Sequence, residues 1–130
     1  MIPKILHQIW SDVNEPLPDF FIQLSRTWKN SHPEWKYEFW DDNRMASFIN
    51  TCEPYLADTY NNFKYDVQRW DFIRYLILYK TGGMYVDFDY ECLESFDHYL
   101  VENKCYFAME PEEHRIRFRQ NIYFSNALMA

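Results

Sequence analysis

A chain of 130 residues, 48% of them apolar and 21% aromatic, is long enough for one core and too hydrophobic to be disordered. Its formal net charge of −7 excludes a protein that holds nucleic acid through a basic surface. No apolar run approaches the ~20 residues of a membrane-spanning helix, and Cys52, Cys92 and Cys105 lack the spacing of a disulfide frame or a zinc site.

In chain order, Ile5 to Trp10 is a short apolar run after a proline and predicts a buried strand. Ser11 to Pro18 predicts a polar loop. Asp19 to Asn30 carries Phe20, Phe21, Leu24 and Trp28 at helical spacing, and Trp35 to Trp40 alternates as a half-buried strand does. Asp41-Asp42-Asn43 can cap a helix over Arg44 to Thr51, and Pro54 can open a short helix over Tyr55 to Asn62. Val67 to Lys80 is the longest helical pattern, apolar nearly all round, which predicts burial on most sides. Met84 to Asp89 predicts a strand, Glu94 to Val101 a short helix and Cys105 to Met109 another strand. Asn126 to Ala130 ends the chain with no recognisable element. Strands alternating with helices predict an α/β fold around a mainly parallel sheet, as one domain over residues 1–130.

The chain has only two glycines, where average usage predicts roughly nine, and they are adjacent: Gly82-Gly83, between the long helix and the strand after it. Gly82 predicts a left-handed helix cap. Beyond the pair stands Asp87-Phe88-Asp89. With ten aspartates in the chain, roughly one such D-x-D arises by chance, so position has to give it weight. On a strand Tyr85, Asp87 and Asp89 share a face, with Met84, Val86 and Phe88 turned into the core. Two carboxylates side by side call for either a proton or a cation between them, and oxygen ligands suit Mg²⁺ or Mn²⁺. Counting helical steps back from Gly82 and extended steps forward from Gly83 brings Asp71 and Arg74, one turn apart, to the same edge as Asp87 and Asp89. That edge is the carboxyl end of the strand, where α/β proteins bind ligands. Trp10 ends the first strand and is a candidate for stacking on a base. His7 reads more readily as a core histidine.

Three stretches carry a family resemblance. Ile2 to Trp10, Pro33 to Asp42 and, nearly position for position, Asp71 to Asp89 resemble the DXD sugar-transferase family, which includes fungal outer-chain mannosyltransferases and capsular polysaccharide transferases; glucosylating toxin domains share a similar core. The resemblance implies a GT-A type, Rossmann-like nucleotide-sugar fold, here matching the N-terminal part of a longer family domain. It implies a hexose transfer from a UDP- or GDP-sugar to a glycan or lipid-linked glycan hydroxyl, with retention of configuration and with Mn²⁺ or Mg²⁺. By the same resemblance Asp87 and Asp89 hold the metal, and Asp71, Arg74, Asp87 and Asp89 form the catalytic group. Trp10, Asp71, Arg74, Tyr85 and Asp87 bind the donor, and His7 and Asn126 are further substrate candidates. A metal-dependent nucleotidyltransferase or phosphohydrolase, and a binding module without turnover, remain the alternatives. The thiols and the absence of a leader predict a cytoplasmic chain, or one peripheral to an inner membrane face, though no basic patch or amphipathic anchor is legible.

Overall fold

The computed structural model describes residues 1–13, 15–100 and 104–130. Strands β1 (Ile5–Ile9), β2 (Lys36–Trp40), β3 (Met84–Val86), β4 (Phe107–Met109) and β5 (Phe124–Met129) form one sheet in the order β2-β1-β3-β5-β4. β1 runs parallel to β2 and β3, whereas β5 is antiparallel to both its neighbours. Four strands therefore share one direction and β5 alone opposes them.

Helix α1 (Asp19–Ser31) covers one face of the sheet; α2 (Asp42–Cys52), α3 (Ala57–Asn61) and α4 (Asp66–Thr81) cover the other. The period-two alternation of β3 decides which side chain joins which layer. Met84 and Val86 pack with Leu6 and Trp28, while Tyr85 packs with Ile73, Ile77 and Met129. Asp41 caps α2 as its sequence predicts, its Oδ1 accepting from the Arg44 amide at 2.8 Å. A 3-10 turn over Pro54–Leu56 precedes α3.

Four expectations need correction. β3 ends at Val86, and the chain turns through Phe88 and Asp89, with the Tyr90 amide donating to the Asp87 carbonyl at 3.3 Å. Helix α4 is not buried on most sides, because Val67, Tyr75 and Tyr79 are exposed; a tyrosine keeps its hydroxyl in water while its ring covers the helix. Residues 94–100 form turns, not a helix, and Val101 lies outside the described residues. The last residues are no loose end: β5 slots between β3 and β4, and a short helix α5 (Glu112–Arg117) leads into it.

The glycine pair closes the helix onto the sheet. Gly82 has φ +66° and ψ −161°, a positive φ but an extended ψ in place of the predicted left-handed helical cap. That region is nearly glycine-only. Its amide donates to the Leu78 carbonyl at 2.8 Å, and its carbonyl accepts from His7 Nε2 at 3.0 Å. On the other side of the same ring, Trp40 Nε1 donates to His7 Nδ1 at 3.1 Å. An acceptor at Nδ1 and a donor at Nε2 fix the neutral imidazole. Burial lowers the His7 pKa from 6.5 to about 4.

The sign of the linkage is set by that depression. Between pH 6.5 and about 4 the unfolded chain binds the proton that the folded chain refuses, so stability falls as pH drops through this window. His7 should account for about 3 kcal/mol of stability present at pH 7 and gone near pH 4. Urea unfolding midpoints taken across that range, compared with those of His7→Gln, check it: the variant should lose most of the slope.

Candidate functional site

Helix α4 and strand β3 run antiparallel through the glycine turn, so positions near the start of α4 face the residues just past β3. Arg74, on the buried side of α4, is 8% exposed in its side chain and sits at the meeting point. Its Nη2 lies 3.3 Å from Asp71 Oδ1 and its Nη1 lies 3.4 Å from Asp87 Oδ1. Nη1 also donates to the Asn126 carbonyl at 3.1 Å and to its Oδ1 at 3.3 Å, and the guanidinium carbon stands 4.6 Å above the Tyr85 ring. Asn126 Nδ2 donates in turn to Asp71 Oδ1 at 3.2 Å. The Asn126 carboxamide thus bridges the helix cation and the helix carboxylate.

Tyr85 is 1% exposed and turns its hydroxyl to Asp87, donating a hydrogen bond to Oδ1. Burial raises its pKa well above the ordinary phenol value and the neighbouring Asp87 charge adds to this, so it remains a donor. Burial also pushes the Asp87 carboxyl above its usual range; Arg74 and the tyrosine hydroxyl pull it back, while Asp89 and Asp71 add repulsion. Asp89, two residues on, is exposed.

A cleft of about 340 Å³ opens at this carboxyl edge of β1 and β3. Arg74, Tyr85, Asp87 and Asp89 line it together with Trp10, which follows directly on β1. Trp10 Nε1 donates to the Glu15 carbonyl at 3.1 Å, and its ring meets Phe21 and Phe88 edge to face, with centroids 5.6 Å and 6.2 Å away. A cleft of this size, lined by both aromatic rings and charged side chains, suits a ligand with a flat apolar part and an anionic part.

Of the residues singled out in the sequence, Trp10, Arg74, Tyr85, Asp87 and Asp89 converge on this cleft. Asp71 and Asn126 join them through Arg74. His7 does not: it lies within the sheet, tied to Gly82 and Trp40. Sequence reading passed over Ser11, Glu15, Phe21, Trp70 and Phe88, which also line the cleft. Trp70 carried a usable signal, standing one helical turn before Arg74 on the same face. Phe88 did not, because its role depends on the strand ending two residues earlier.

Among the described residues no group of three or more His, Cys, Asp or Glu is placed to hold a metal ion. Asp87 and Asp89 offer hard oxygen ligands at the cleft, which Glu15 also lines. Two carboxylates fit a divalent ion that completes its shell with water and ligand phosphates, not one caged wholly by protein.

The open α/β sheet, with a cleft lined by aromatic and acidic side chains at the carboxyl ends of its parallel strands, has a fold of the GT-A type. The solved chain "PaToxG Glycosyltransferase" superposes with a TM-score of 0.72 at 16% identity, covering 99% of this chain and 55% of that one. The family described as "Glycosyltransferase sugar-binding region containing DXD motif" matches residues 18–106, and the chain belongs to that family. "Inositol phosphoceramide mannosyltransferase 3" of Schizosaccharomyces pombe is 38% identical over 96 residues, covering 74% of this chain and 26% of the relative. "Mannosyl phosphorylinositol ceramide synthase SUR1" of Saccharomyces cerevisiae is 37% identical over 101 residues, covering 78% and 26%. The chain therefore spans about a quarter of the length of these curated relatives.

Proposed function

We propose that the chain is the donor-binding domain of a metal-dependent glycosyltransferase that moves a hexose from a nucleoside diphosphate sugar to a hydroxyl acceptor with retention. The observation that carries this reading is the Asp71–Arg74–Asp87 cluster, held by Asn126 and Tyr85 at one end of the aromatic cleft. The names of the relatives favour mannose as the sugar and an inositol phosphoceramide as the acceptor.

In this reading Trp10 stacks on the base, and Asp87 and Asp89 hold Mn²⁺ or Mg²⁺. When bound, the ion would offset the negative charge that grows on the diphosphate as it leaves. Arg74 presents a fixed cation to the same cleft, already oriented by Asp71, Asp87 and Asn126, so it pays no reorganisation cost as that charge develops. Asp71 anchors Arg74 and faces the donor sugar. The acceptor oxygen bonds to the anomeric carbon from the side that the diphosphate leaves, and its proton passes to the departing oxygen. No side chain is assigned as general base.

Thermal unfolding with Mn²⁺ and UDP or GDP tests the donor site. The melting temperature should rise only when ion and nucleotide are both present. Asp89→Asn should remove the metal-dependent rise without lowering the melting temperature of the unliganded chain, because Asp89 is exposed. Trp10→Ala should weaken nucleotide binding about tenfold, the scale of a lost base–aromatic stack, and weaken the ion far less. No stabilisation by the pair at millimolar concentrations would overturn the reading.

A further inference from the structure

Phe88 stands between the two carboxylates Asp87 and Asp89, on the turn that follows β3. It is 4% exposed, whereas Asp89 beside it is exposed. The turn is held at both ends by hydrogen bonds to its main chain. The Asp87 amide donates to the Ala127 carbonyl at 2.8 Å, and the Tyr90 carbonyl accepts from Trp28 Nε1 at 2.7 Å. At the corner between these two points the hold is a ring. Phe88 meets Trp10 with centroids 6.2 Å apart and planes at 87°, and it meets Phe39 of β2 at 6.0 Å and 70°. Both contacts are edge to face, the geometry that ring quadrupoles favour.

Trp10 has two further restraints, the Glu15 carbonyl 3.1 Å from Nε1 and the Phe21 ring of α1 at 5.6 Å. Its ring is thus tied to the loop after β1, to α1 and, through Phe88, to the turn that bears Asp87 and Asp89. An ion that draws the Asp87 and Asp89 oxygens together sets the backbone angles of the residue between them. Those angles decide the direction in which the Phe88 ring leaves the chain. A close-packed interior yields little, so the ring passes that change to Trp10 and does not absorb it.

We propose that Phe88 is a positioning residue that couples the cation site to the base-stacking ring, so that a cation at Asp87 and Asp89 orients Trp10 for the base. The coupling runs both ways: the factor that the ion adds to nucleotide affinity through Phe88 is the factor that the nucleotide adds to ion affinity. An ion that never touches the base thereby acts on its binding. The identity of the two ligands rests on the transferase reading, but the link between the carboxylate turn and Trp10 does not.

Fluorine NMR of the whole chain labelled with 5-fluorotryptophan tests the link without nucleotide. Trp10→Phe identifies the Trp10 signal among the five tryptophans. Millimolar Mg²⁺ should shift that signal in the unsubstituted chain and leave it in place in Asp89→Asn. Phe88→Leu keeps an apolar side chain without the ring, and there the shift should fall to less than about half. Phe88→Tyr keeps the ring and should restore it. A circular dichroism melt checks the fold of each variant, and Phe88→Met, a flexible filler, takes the place of Phe88→Leu should that variant unfold. By calorimetric titration in the presence of Mn²⁺, UDP or GDP should bind Phe88→Leu about fivefold more weakly, the scale of one aromatic pair. In a Trp10→Ala background the same change should cost less than about twofold, because its route is gone. No Mg²⁺ shift of the Trp10 signal in the unsubstituted chain, or a shift that loss of the ring leaves whole, overturns the proposal. So do affinity losses that add in full in the double variant. A shift that behaves as expected in a chain that binds neither nucleotide keeps the link and overturns the transferase reading instead.

Discussion

Arg74→Ala is expected to abolish the stabilisation by metal and nucleotide and to cost about 2–4 kcal/mol of folding stability. The guanidinium is the group on which Asp71, Asp87 and Asn126 all converge, and it lies over Tyr85. Truncation leaves the half-buried Asp87 carboxylate without its cation, and breaking a pair whose cation is buried costs more than the pair contributed. Urea unfolding of the two proteins across pH gives the diagnostic result. The Asp87 pKa is already raised by burial, and losing Arg74 raises it further. Protonation removes the stranded charge, so the gap between wild type and variant should be widest at neutral pH and narrow as pH falls through the pKa of the folded carboxyl. The His7 contribution is common to both proteins and cancels. A gap that is constant with pH would mean that Arg74 acts by packing alone. Arg74→Lys keeps the charge but not the planar fork, so it should retain most of the stability and lose most of the ligand response.

Gly83→Ala should be about as damaging to the fold without touching the cleft. Gly83 has φ +92°, and a Cβ there would lie 2.5 Å from the Ile5 carbonyl oxygen, 2.9 Å from Ile5 Cβ and 3.1 Å from His7 Nε2. The first of these is backbone of β1, the strand that pairs with β3, and it cannot swing aside. Backbone strain and overpacking together should cost about 3–4 kcal/mol, a large share of the stability of a small domain. Gly82→Ala meets the Pro3 ring at 2.7 Å, a side-chain contact and not the backbone of a paired strand. Its cost should be the smaller of the two, and chemical denaturation of both variants orders them. Equal costs would show that positive φ, present at both glycines, outweighs the contact with β1.

The elements built from local pattern were legible in the sequence: β1, β2, α1, α2 and α4 follow from periodicity and caps. So was the meeting of Asp71 and Arg74 with Asp87, because a helix and a strand joined by a tight turn leave little freedom in how their ends align. The end of β3 was not legible. Asp87-Phe88-Asp89 alternates as a strand would, and only the hydrogen bond from Tyr90 back to Asp87 marks it as a turn. β5 was missed because its six residues, Phe124–Met129, gain their identity from neighbours distant in sequence, β3 on one side and β4 on the other. The aromatic lining of the cleft hid in plain composition: Phe21 and Trp70 lie at helical spacing and read as core until both are found lining the cleft.

The place of β5 within the sheet also bears on synthesis. As the chain emerges from the ribosome, β1, β2 and β3 can pair with one another before residue 124 exists. Until then Met84–Val86, buried on both faces in the finished fold, has one row of amides and carbonyls with no partner. A nascent chain stalled there presents an apolar edge strand, the form most prone to pair with a neighbouring copy. Completing the site and silencing that edge are one event, since the segment that delivers Asn126 to Arg74 also supplies the missing ladder.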